Sequence, residues 1–259
     1  MSASMADGSA IQWTDATWNP VTGCTKISPG CRFCYAERLT ERFGRGPFTM
    51  IRLHPDRLGL PLQWRRPRRI FVNSMSDLFH ERVPDDFIAR VIDTARIVPQ
   101  HVFQILTKRA DRMLAWARAS KQPLPSNVWL GVSVESMGYA WRADRLRDVD
   151  VRVRFVSAEP LLGSLRGLDL RGIAWLITGG ESAGTAPRAL VEQNGGAWCP
   201  KPEALHWVRE LRDACRDAGV AFFHKQWGGP RPTSGGRLLD GRTWSEMPIR
   251  TASAAQRRR

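Results

Sequence analysis

The sequence predicts an α/β fold, and within that class an incomplete parallel (β/α) barrel of about six to seven strands. Short apolar, β-branched segments recur along the chain, and helical patterns lie between most of them. This alternation implies parallel βαβ units, arranged either as a barrel or as a doubly wound sheet. Because the predicted strands number fewer than the eight of a closed barrel, an incomplete barrel fits best.

The predicted strands are short and mostly apolar, as buried parallel strands are. The first is expected somewhere within residues 11–22. The other six are Arg69–Asn73, Val102–Leu106, Val128–Val132, Val153–Val156, Ile173–Ile177 and Val220–Phe223.

Three segments between these strands have the apolar spacing of helices. They are Asp85–Val98, Ala110–Ser120 and Pro202–Ala218. The first follows Pro84 and carries acids in its opening turn, where they complement the helix dipole. The last begins at Pro202 and is followed by Gly219, a residue type that commonly ends helices.

Length and composition indicate one sizeable core. The 259 residues are 42% hydrophobic, and no apolar stretch approaches the ~20 residues that cross a bilayer. We expect a flexible leader over residues 1–10, a single partial-barrel domain over 11–249 and a basic flexible tail over 250–259. Five cysteines are too few for a disulfide framework, and the leader lacks the apolar segment of a secretory signal. The expected location is therefore the reducing cytoplasm, without a membrane.

The net charge of +14 suggests a polyanionic partner such as nucleic acid. Only four arginines lie in the tail, so most of the excess belongs to the predicted domain. Compositional bias is an equal alternative, because the chain has 34 arginines and only five lysines. The candidate basic patches are Arg65, Arg66, Arg68 and Arg69, and Arg142, Arg145, Arg147, Arg152 and Arg154.

Cys24, Cys31 and Cys34 lie in one short segment, residues 23–34, which we name the cysteine loop. A structural zinc site takes four protein ligands, and a ferredoxin-type cluster takes four cysteines. Three thiolates without a nearby histidine or fourth cysteine favour a 4Fe-4S cluster with one iron open to a substrate or cofactor. A zinc site completed by Cys199, Cys215 or a distant histidine, or no metal at all, stays open.

Polar or small residues directly follow each predicted strand. In a parallel barrel the carboxyl ends of all strands face the same mouth, where active sites are built. The cysteine loop, which follows the first strand, is expected to open onto this mouth. The strand-end segments are Asn73–Asp77, Thr107–Arg109, Ser133–Glu135, Ser157–Pro160, Gly179–Ser182 and His224–Gly228.

The segment Cys31–Cys34 resembles the C-x-aromatic-C half of the radical S-adenosylmethionine (SAM) signature. Six residues separate Cys24 from Cys31, where the usual signature has three. The longer spacing resembles a narrower, phage-associated family with a three-cysteine motif, which is distantly similar to spore photoproduct lyase. Further segments that carry this resemblance are 11–14, 17–20, 74–79, 159–163, 179–182 and 225–228.

The resemblance implies a 4Fe-4S cluster on the three cysteines and SAM at its open iron. Phe33 would lie near the adenine of SAM, and Gly179-Gly180-Glu181 resembles the segment that holds the methionine ammonium, although it is also typical of a tight turn. A reduced cluster, fed by an external donor such as flavodoxin or ferredoxin, would cleave SAM to a 5′-deoxyadenosyl radical. Alternative SAM contacts are Asn73, Ser74, Ser133 and Glu135.

Lys108, Glu159, Lys225 and Trp227 are the candidate substrate-binding residues. Lysines at a barrel mouth suit phosphate or carboxylate, and Trp227 could stack on a base, yet each also suits a structural role.

The leading function is a radical SAM-type enzyme that acts on a nucleic acid or nucleotide, in modification or repair. The alternatives are a radical SAM enzyme acting on a peptide or small metabolite, and a non-catalytic, metal-stabilised nucleic-acid-binding protein. The oligomeric state does not follow from the sequence.

Overall fold

The computed structural model describes residues 9–181 and 190–248. Residues 1–8 of the expected leader and the whole expected tail lie outside the described residues. In chain order the elements are β1 (Ala16–Trp18), β2 (Val21–Thr22), α1 (Tyr35–Arg42), β3 (Arg52–Leu53), β4 (Arg69–Val72), α2 (Asp85–Ile97), β5 (Val102–Thr107), α3 (Ala110–Ala119), β6 (Val128–Ser133), α4 (Trp141–Arg147), β7 (Val153–Ala158), β8 (Trp175–Gly179), β9 (Val191–Asn194), β10 (Ala197–Pro200), α5 (Pro202–Asp217) and β11 (Ala221–Gln226).

The central sheet has seven strands in the spatial order β1-β4-β5-β6-β7-β8-β11. Every neighbouring pair is parallel. The spatial order follows the chain order, as in a (β/α) barrel, and β1 and β11 form the two open edges. The predicted α/β fold with an incomplete parallel barrel of six to seven strands is therefore confirmed.

Elements that the sequence did not predict lie outside this sheet or cover it. The pairs β2–β3 and β9–β10 are short and antiparallel. In β9 only Val191 is buried, so the segment carries no apolar period. Helix α1 buries only Ala36, and α4 has only seven residues, so neither produces the long apolar stripe from which helices are recognised.

The two faces of the sheet carry two cores. One face packs against the helices, and the core between them includes Ile70 and Ile105 of the sheet and Phe87 and Met113 of α2 and α3. The opposite face is the one that a (β/α) barrel turns inward, and it carries a layer of rings, which we name the aromatic layer: Trp13, Phe71, Trp129, Phe155, Trp175 and Phe223.

Side chains alternate between the faces along each strand. On β6 the inward positions are therefore Trp129, Gly131 and Ser133. A side chain at Gly131 would collide with the ring of Phe155, which explains a glycine inside this strand. Within the described residues, no helix has the length and apolarity that crossing a membrane requires.

Candidate functional site

The cysteine loop begins at a position where only glycine fits. Gly23 has φ of +90°, and a side chain there would collide with the carbonyl of Met50. Its N–H donates to the Met75 carbonyl, 3.1 Å away, just beyond the end of β4. The Cys24 N–H donates to the Phe48 carbonyl at 2.8 Å. Backbone bonds therefore hold the start of the loop against the carboxyl end of the sheet.

All three cysteines of the loop are free thiols and half-buried. Cys31 ends a short 3₁₀ turn, and its sulfur lies 3.7 Å from the Ser28 hydroxyl. Cys34 is the residue immediately before α1. The loop is thus folded by its own turn and by the start of a helix, with its thiols only partly open to solvent.

Arg109 ties the loop to the end of β5. Its guanidinium lies 3.5 Å from the Cys24 sulfur and donates to the carbonyl and hydroxyl of Thr25, both at 3.0 Å. The same side chain is only 5% exposed and pairs with Asp77 at 3.3 Å and Glu81 at 3.0 Å. A buried cation beside a thiol stabilises the thiolate, which is the form that binds metals.

Two of the thiols are shifted away from the thiolate form in the metal-free protein. Burial, followed by the charge of Asp77, raises the pKa of Cys24 to about 12, against the opposing effect of Arg109. Burial also raises the pKa of Cys34, against hydrogen bonds from the Glu37 and Ala36 backbone. Metal binding at these thiols would therefore release protons.

Glu135 joins the cysteine loop to the end of β6. This buried carboxylate accepts a hydrogen bond from the Ser28 hydroxyl at 2.5 Å and from Arg142 at 2.7 Å. The Lys108 ammonium lies 3.7 Å from it. Glu135 is completely buried, and its carboxylate is satisfied by these partners. Glu135, one of the residues predicted to contact SAM, is thus hydrogen-bonded to the cysteine loop.

The far side of the mouth carries a second ion pair. Lys225 on β11 pairs with Glu159 at the end of β7, and both side chains are mostly buried. Gly179 packs against Glu159, since a Cβ there would lie 3.1 Å from the carboxyl carbon. Two predicted substrate residues and one predicted cofactor residue therefore meet at one place.

Asn73 and Ser74 hold the end of β4. Asn73 has φ of +60°, and its side-chain oxygen accepts a hydrogen bond from the Val21 N–H at 3.2 Å. The Ser74 hydroxyl donates to Asn19, and the Ser74 carbonyl accepts from the Tyr35 hydroxyl. These hydrogen bonds give Asn73 and Ser74 a structural role beside the cysteine loop. The Asn73 amide nitrogen has no partner among the described residues and is buried.

Gly180 lies where β8 and β11 end close together. A side chain on Gly180 would collide with the Trp227 carbonyl, and the Gly180 N–H donates to Gln226 at 2.9 Å. This close approach favours the tight-turn interpretation of the glycine pair. Glu181, the third residue of the segment, accepts a hydrogen bond from the Gly229 N–H through its carbonyl.

Trp227 does not fit the predicted role in base stacking. Its side chain is 1% exposed, its indole N–H donates to the Leu238 carbonyl at 2.8 Å, and its ring packs on His224 with 4.5 Å between centroids. A ring that is almost completely buried offers no face to a base. The apolar surface of the indole, placed after a buried strand, completes the core instead.

Phe33 and Ser133 occupy opposite environments. Phe33 is half-buried in the loop, and the Arg32 guanidinium lies 5.1 Å from its ring centroid. The Ser133 hydroxyl is buried and has no partner among the described residues, while its carbonyl accepts from Arg142 at 2.9 Å. Ser133 therefore has an unused donor on the inward face of β6.

Sequence reasoning missed Asp77, Arg109 and Arg142 as members of this network. Asp77 and Arg109 stood in strand-end segments, so their position was available, but their pairing across β4 and β5 was not. Arg142 stood in a basic patch and is instead buried at 1% exposure against Glu135. The available signal was Glu135 at the end of β6, because an acid that becomes buried there requires a cationic partner.

The three thiols and their neighbours limit which inorganic group the cysteine loop could hold. Within residues 9–181 and 190–248, no three His, Cys, Asp or Glu side chains are grouped to coordinate one metal ion. An iron-sulfur cluster makes a different demand, because its thiolates bind separate iron atoms. Thiolates with cations nearby, Arg109 at Cys24 and Lys108 at Cys34, suit an anionic cluster. The chemistry of the donors, three thiols with cations near two of them, therefore suits a cluster.

A family model covers nearly the whole chain. The model is that of DUF5131, described as a protein of unknown function, and it matches residues 8–248. The chain belongs to this family. The match includes the cysteine loop and all seven strands of the sheet. No curated protein matches the sequence significantly.

Solved structures with a similar fold include several of spore photoproduct lyase. One mutant of that enzyme is 11% identical over 86% of this chain and 79% of its own, with a TM-score of 0.53. The enzyme complexed with dinucleoside spore photoproduct is 12% identical over 85% and 78%, with a TM-score of 0.52. At these identities the likeness is one of fold, and it supports the predicted distant similarity to spore photoproduct lyase.

Proposed function

We propose that this DUF5131 protein is a radical SAM-type iron-sulfur enzyme that acts on a nucleic acid or nucleotide. The observation that carries the proposal is the position of the cysteine loop against the carboxyl ends of β5 and β6. The Cys24 sulfur lies 3.5 Å from the Arg109 guanidinium, and the Ser28 hydroxyl of the loop donates to Glu135. Active sites of parallel barrels are built at these ends. The fold shared with spore photoproduct lyase, a radical SAM enzyme, supports the same conclusion.

Cys24, Cys31 and Cys34 would hold the cluster. When bound there, a 4Fe-4S cluster supplies the electron that cleaves SAM to a 5′-deoxyadenosyl radical. The protein would bind SAM beside the loop with Phe33 and with Ser133, whose buried hydroxyl has a free donor. Glu135 would position the loop through its hydrogen bond from Ser28.

Asn73, Ser74 and Gly179-Gly180-Glu181 would border the SAM site. Lys108 and Lys225 would place positive charge at the mouth for a phosphate-bearing substrate, each held by a carboxylate. An external one-electron donor such as flavodoxin or ferredoxin would reduce the cluster. The phage association of the resembled family stays a prediction.

The nucleic-acid substrate is proposed because one of the solved structures with this fold is complexed with dinucleoside spore photoproduct. The net charge of +14 supports it, since arginines neutralise phosphates. The assay described next distinguishes a nucleic-acid substrate from a peptide or small metabolite.

The test is anaerobic reconstitution followed by incubation with SAM and dithionite. We expect ~4 iron and ~4 sulfide per chain, as a cubane requires, and formation of 5′-deoxyadenosine. Substrate class is then read from whether DNA, RNA or a peptide mixture raises the rate. A cluster without 5′-deoxyadenosine would instead indicate the non-catalytic binding protein, and absence of iron would contradict the proposal altogether.

A further inference from the structure

A cavity of about 640 Å³ lies beside the edge strand β1. Its walls come from β1, β2, β3, α1 and the segments 45–50 and 54–64. The volume is within the range of small-molecule sites, which is about 300–1,000 Å³. The candidate residues of the mouth do not line it. It therefore constitutes a separate space with its own chemistry.

The charged groups that line this cavity are all basic. They are Arg45, Arg52 and Arg57, and no Asp or Glu is among the described residues that line it. Arg52 donates to the Arg45 carbonyl at 2.7 Å, and Arg57 donates to the Asn19 carbonyl at 3.2 Å. Each bond uses one of several guanidinium N–H groups, and none of these arginines has a carboxylate partner among the described residues. The cavity therefore presents positive charge that no carboxylate among the described residues neutralises.

The rest of the lining is largely apolar and aromatic. Trp18 and Phe48 are buried and offer almost no ring surface to a ligand, whereas Trp64 and Leu60 are half-buried. Burial, followed by the charge of Arg57, lowers the pKa of His54, so this residue is a neutral hydrogen-bonding group near neutral pH. Guanidinium groups suit phosphate oxygens, and aromatic rings suit a planar base. The two together match a nucleotide better than a small inorganic anion.

This cavity shares a wall with the cysteine loop. Gly23 lines the cavity, and Cys24 is the next residue. Phe48 and Met75, which also line it, accept the backbone hydrogen bonds of Cys24 and Gly23. A ligand in the cavity would therefore lie on the other side of the backbone that carries the first thiol.

We propose that this cavity binds a nucleotide, with the phosphate on Arg45, Arg52 and Arg57 and the base against the half-buried ring of Trp64. The nucleotide is a free mononucleotide or one unit of a single strand, since both present the same phosphate and base. The inference rests on the cavity alone and does not require the radical chemistry proposed above.

The experiment is calorimetric titration of the full chain with thymidine 5′-monophosphate and with a short single-stranded thymidine oligonucleotide. Arg45→Ala and Arg52→Ala, both on the exposed rim, should each weaken binding by about tenfold, because a charge-assisted bond to phosphate is lost. Trp64→Leu should weaken nucleotide binding several-fold. The matched control is Arg216→Ala, an exposed arginine on α5 at the opposite edge of the sheet, which should leave the affinity unchanged.

Three results would overturn the inference: wild-type affinity in both rim variants, an equal loss in Arg216→Ala, or displacement of the nucleotide by an equal concentration of inorganic phosphate. Tighter binding of the oligonucleotide than of the mononucleotide identifies a strand as the source, and the reverse identifies a free nucleotide. Cys34→Ala, which removes one thiol outside the cavity, should bind as the wild type does. A failure of the cavity to bind nucleotide is thus distinguishable from a failure of the protein to form 5′-deoxyadenosine.

Discussion

The inward face of the sheet changes character along the strands. In the amino-terminal half Trp175 lies at the centre of the aromatic layer, with centroids 5.6 Å from Phe155, 6.0 Å from Phe223 and 6.1 Å from Trp129. Two residues or more further along the same strands, the inward positions hold Ser133 and Lys225. One alternation of side chains thus builds two environments on a single surface.

The difference separates stability from chemistry. Rings packed in a layer stabilise the fold by burying apolar area and by edge contacts. Buried ion pairs such as Glu135–Arg142 contribute little net stability, because desolvation offsets their attraction. The charges at the mouth are therefore best explained by a role in binding. The aromatic layer is best explained by a role in folding. The following predictions test that division, from the largest effect to the smallest.

Cys31→Ala should abolish cluster binding. Two remaining thiolates cannot retain a cubane, so iron and sulfide should fall to background after reconstitution. Cys199→Ala, on β10 away from the loop, is the control and should keep full iron content. Metal analysis and visible absorption measure both variants. Equal iron loss in the two would show that the cysteine loop is not the cluster site.

Trp175→Ala should lower the free energy of unfolding by about 3–5 kcal/mol, as large-to-small substitutions in aromatic cores do. Urea denaturation of the metal-free chain measures it. Trp141→Ala provides the comparison, because this indole is 40% exposed and its loss should cost roughly 1 kcal/mol or less. Iron content per folded chain should not change in either variant. A Trp175→Ala protein of normal stability would refute the structural role of the aromatic layer.

His224 should make stability depend on acid pH. Its ring is fully buried, burial lowers its pKa to about 3, and its Nδ1 lies 2.9 Å from the Thr178 hydroxyl. Below about pH 6.5 the His224 side chain is protonated in the unfolded chain but stays neutral in the folded chain. The free energy of unfolding therefore falls as pH decreases, by up to ~1.4 kcal/mol per pH unit.

The measurement is urea denaturation of the wild type and of His224→Gln between about pH 7 and about pH 5. The glutamine keeps a polar partner for Thr178 and does not titrate. Its stability should therefore decline less steeply with acid than that of the wild type. Identical slopes would show that His224 gains its proton as readily in the folded chain as in the unfolded one.

Phe33→Ala should weaken SAM binding several-fold, corresponding to ~1 kcal/mol of aromatic contact, while iron content stays the same. Phe43→Ala is a matched control, because Phe43 is also a ring covered by an arginine, with Arg45 5.1 Å from its centroid. Equilibrium binding of SAM to reconstituted protein gives the comparison. Unchanged affinity in Phe33→Ala would remove this ring from the proposed cofactor site.

Much of the fold could be predicted from local pattern. The segments that became β4 to β8 and β11 are short and mostly apolar, and the helices α2, α3 and α5 carry a helical period. The pairs β2–β3 and β9–β10 could not be predicted, because their residues are mostly exposed and carry no period. The candidate site was predictable only as strand ends and a cysteine loop. The contacts between residues of different strand ends could not be predicted.

Arg109 and Trp227 illustrate what was missing. Both follow strands, and the residue type alone would assign the indole to a ligand and the arginine to the surface. In the structure Arg109 is buried beside Cys24, and Trp227 is packed in the core. Burial and pairing depend on residues far away in the chain, Asp77 for one and Leu238 for the other.

The sequence by itself determined the sheet of parallel strands, the polar ends of those strands and the grouping of three thiols, because these depend on neighbours in the chain and on periodicity. Only the tertiary structure decided which charges are buried, which thiol lies beside a cation, and that a basic cavity borders the cysteine loop at β1. The physical reason is that desolvation and ion pairing are properties of positions in space, and these positions exist only after the strands have assembled.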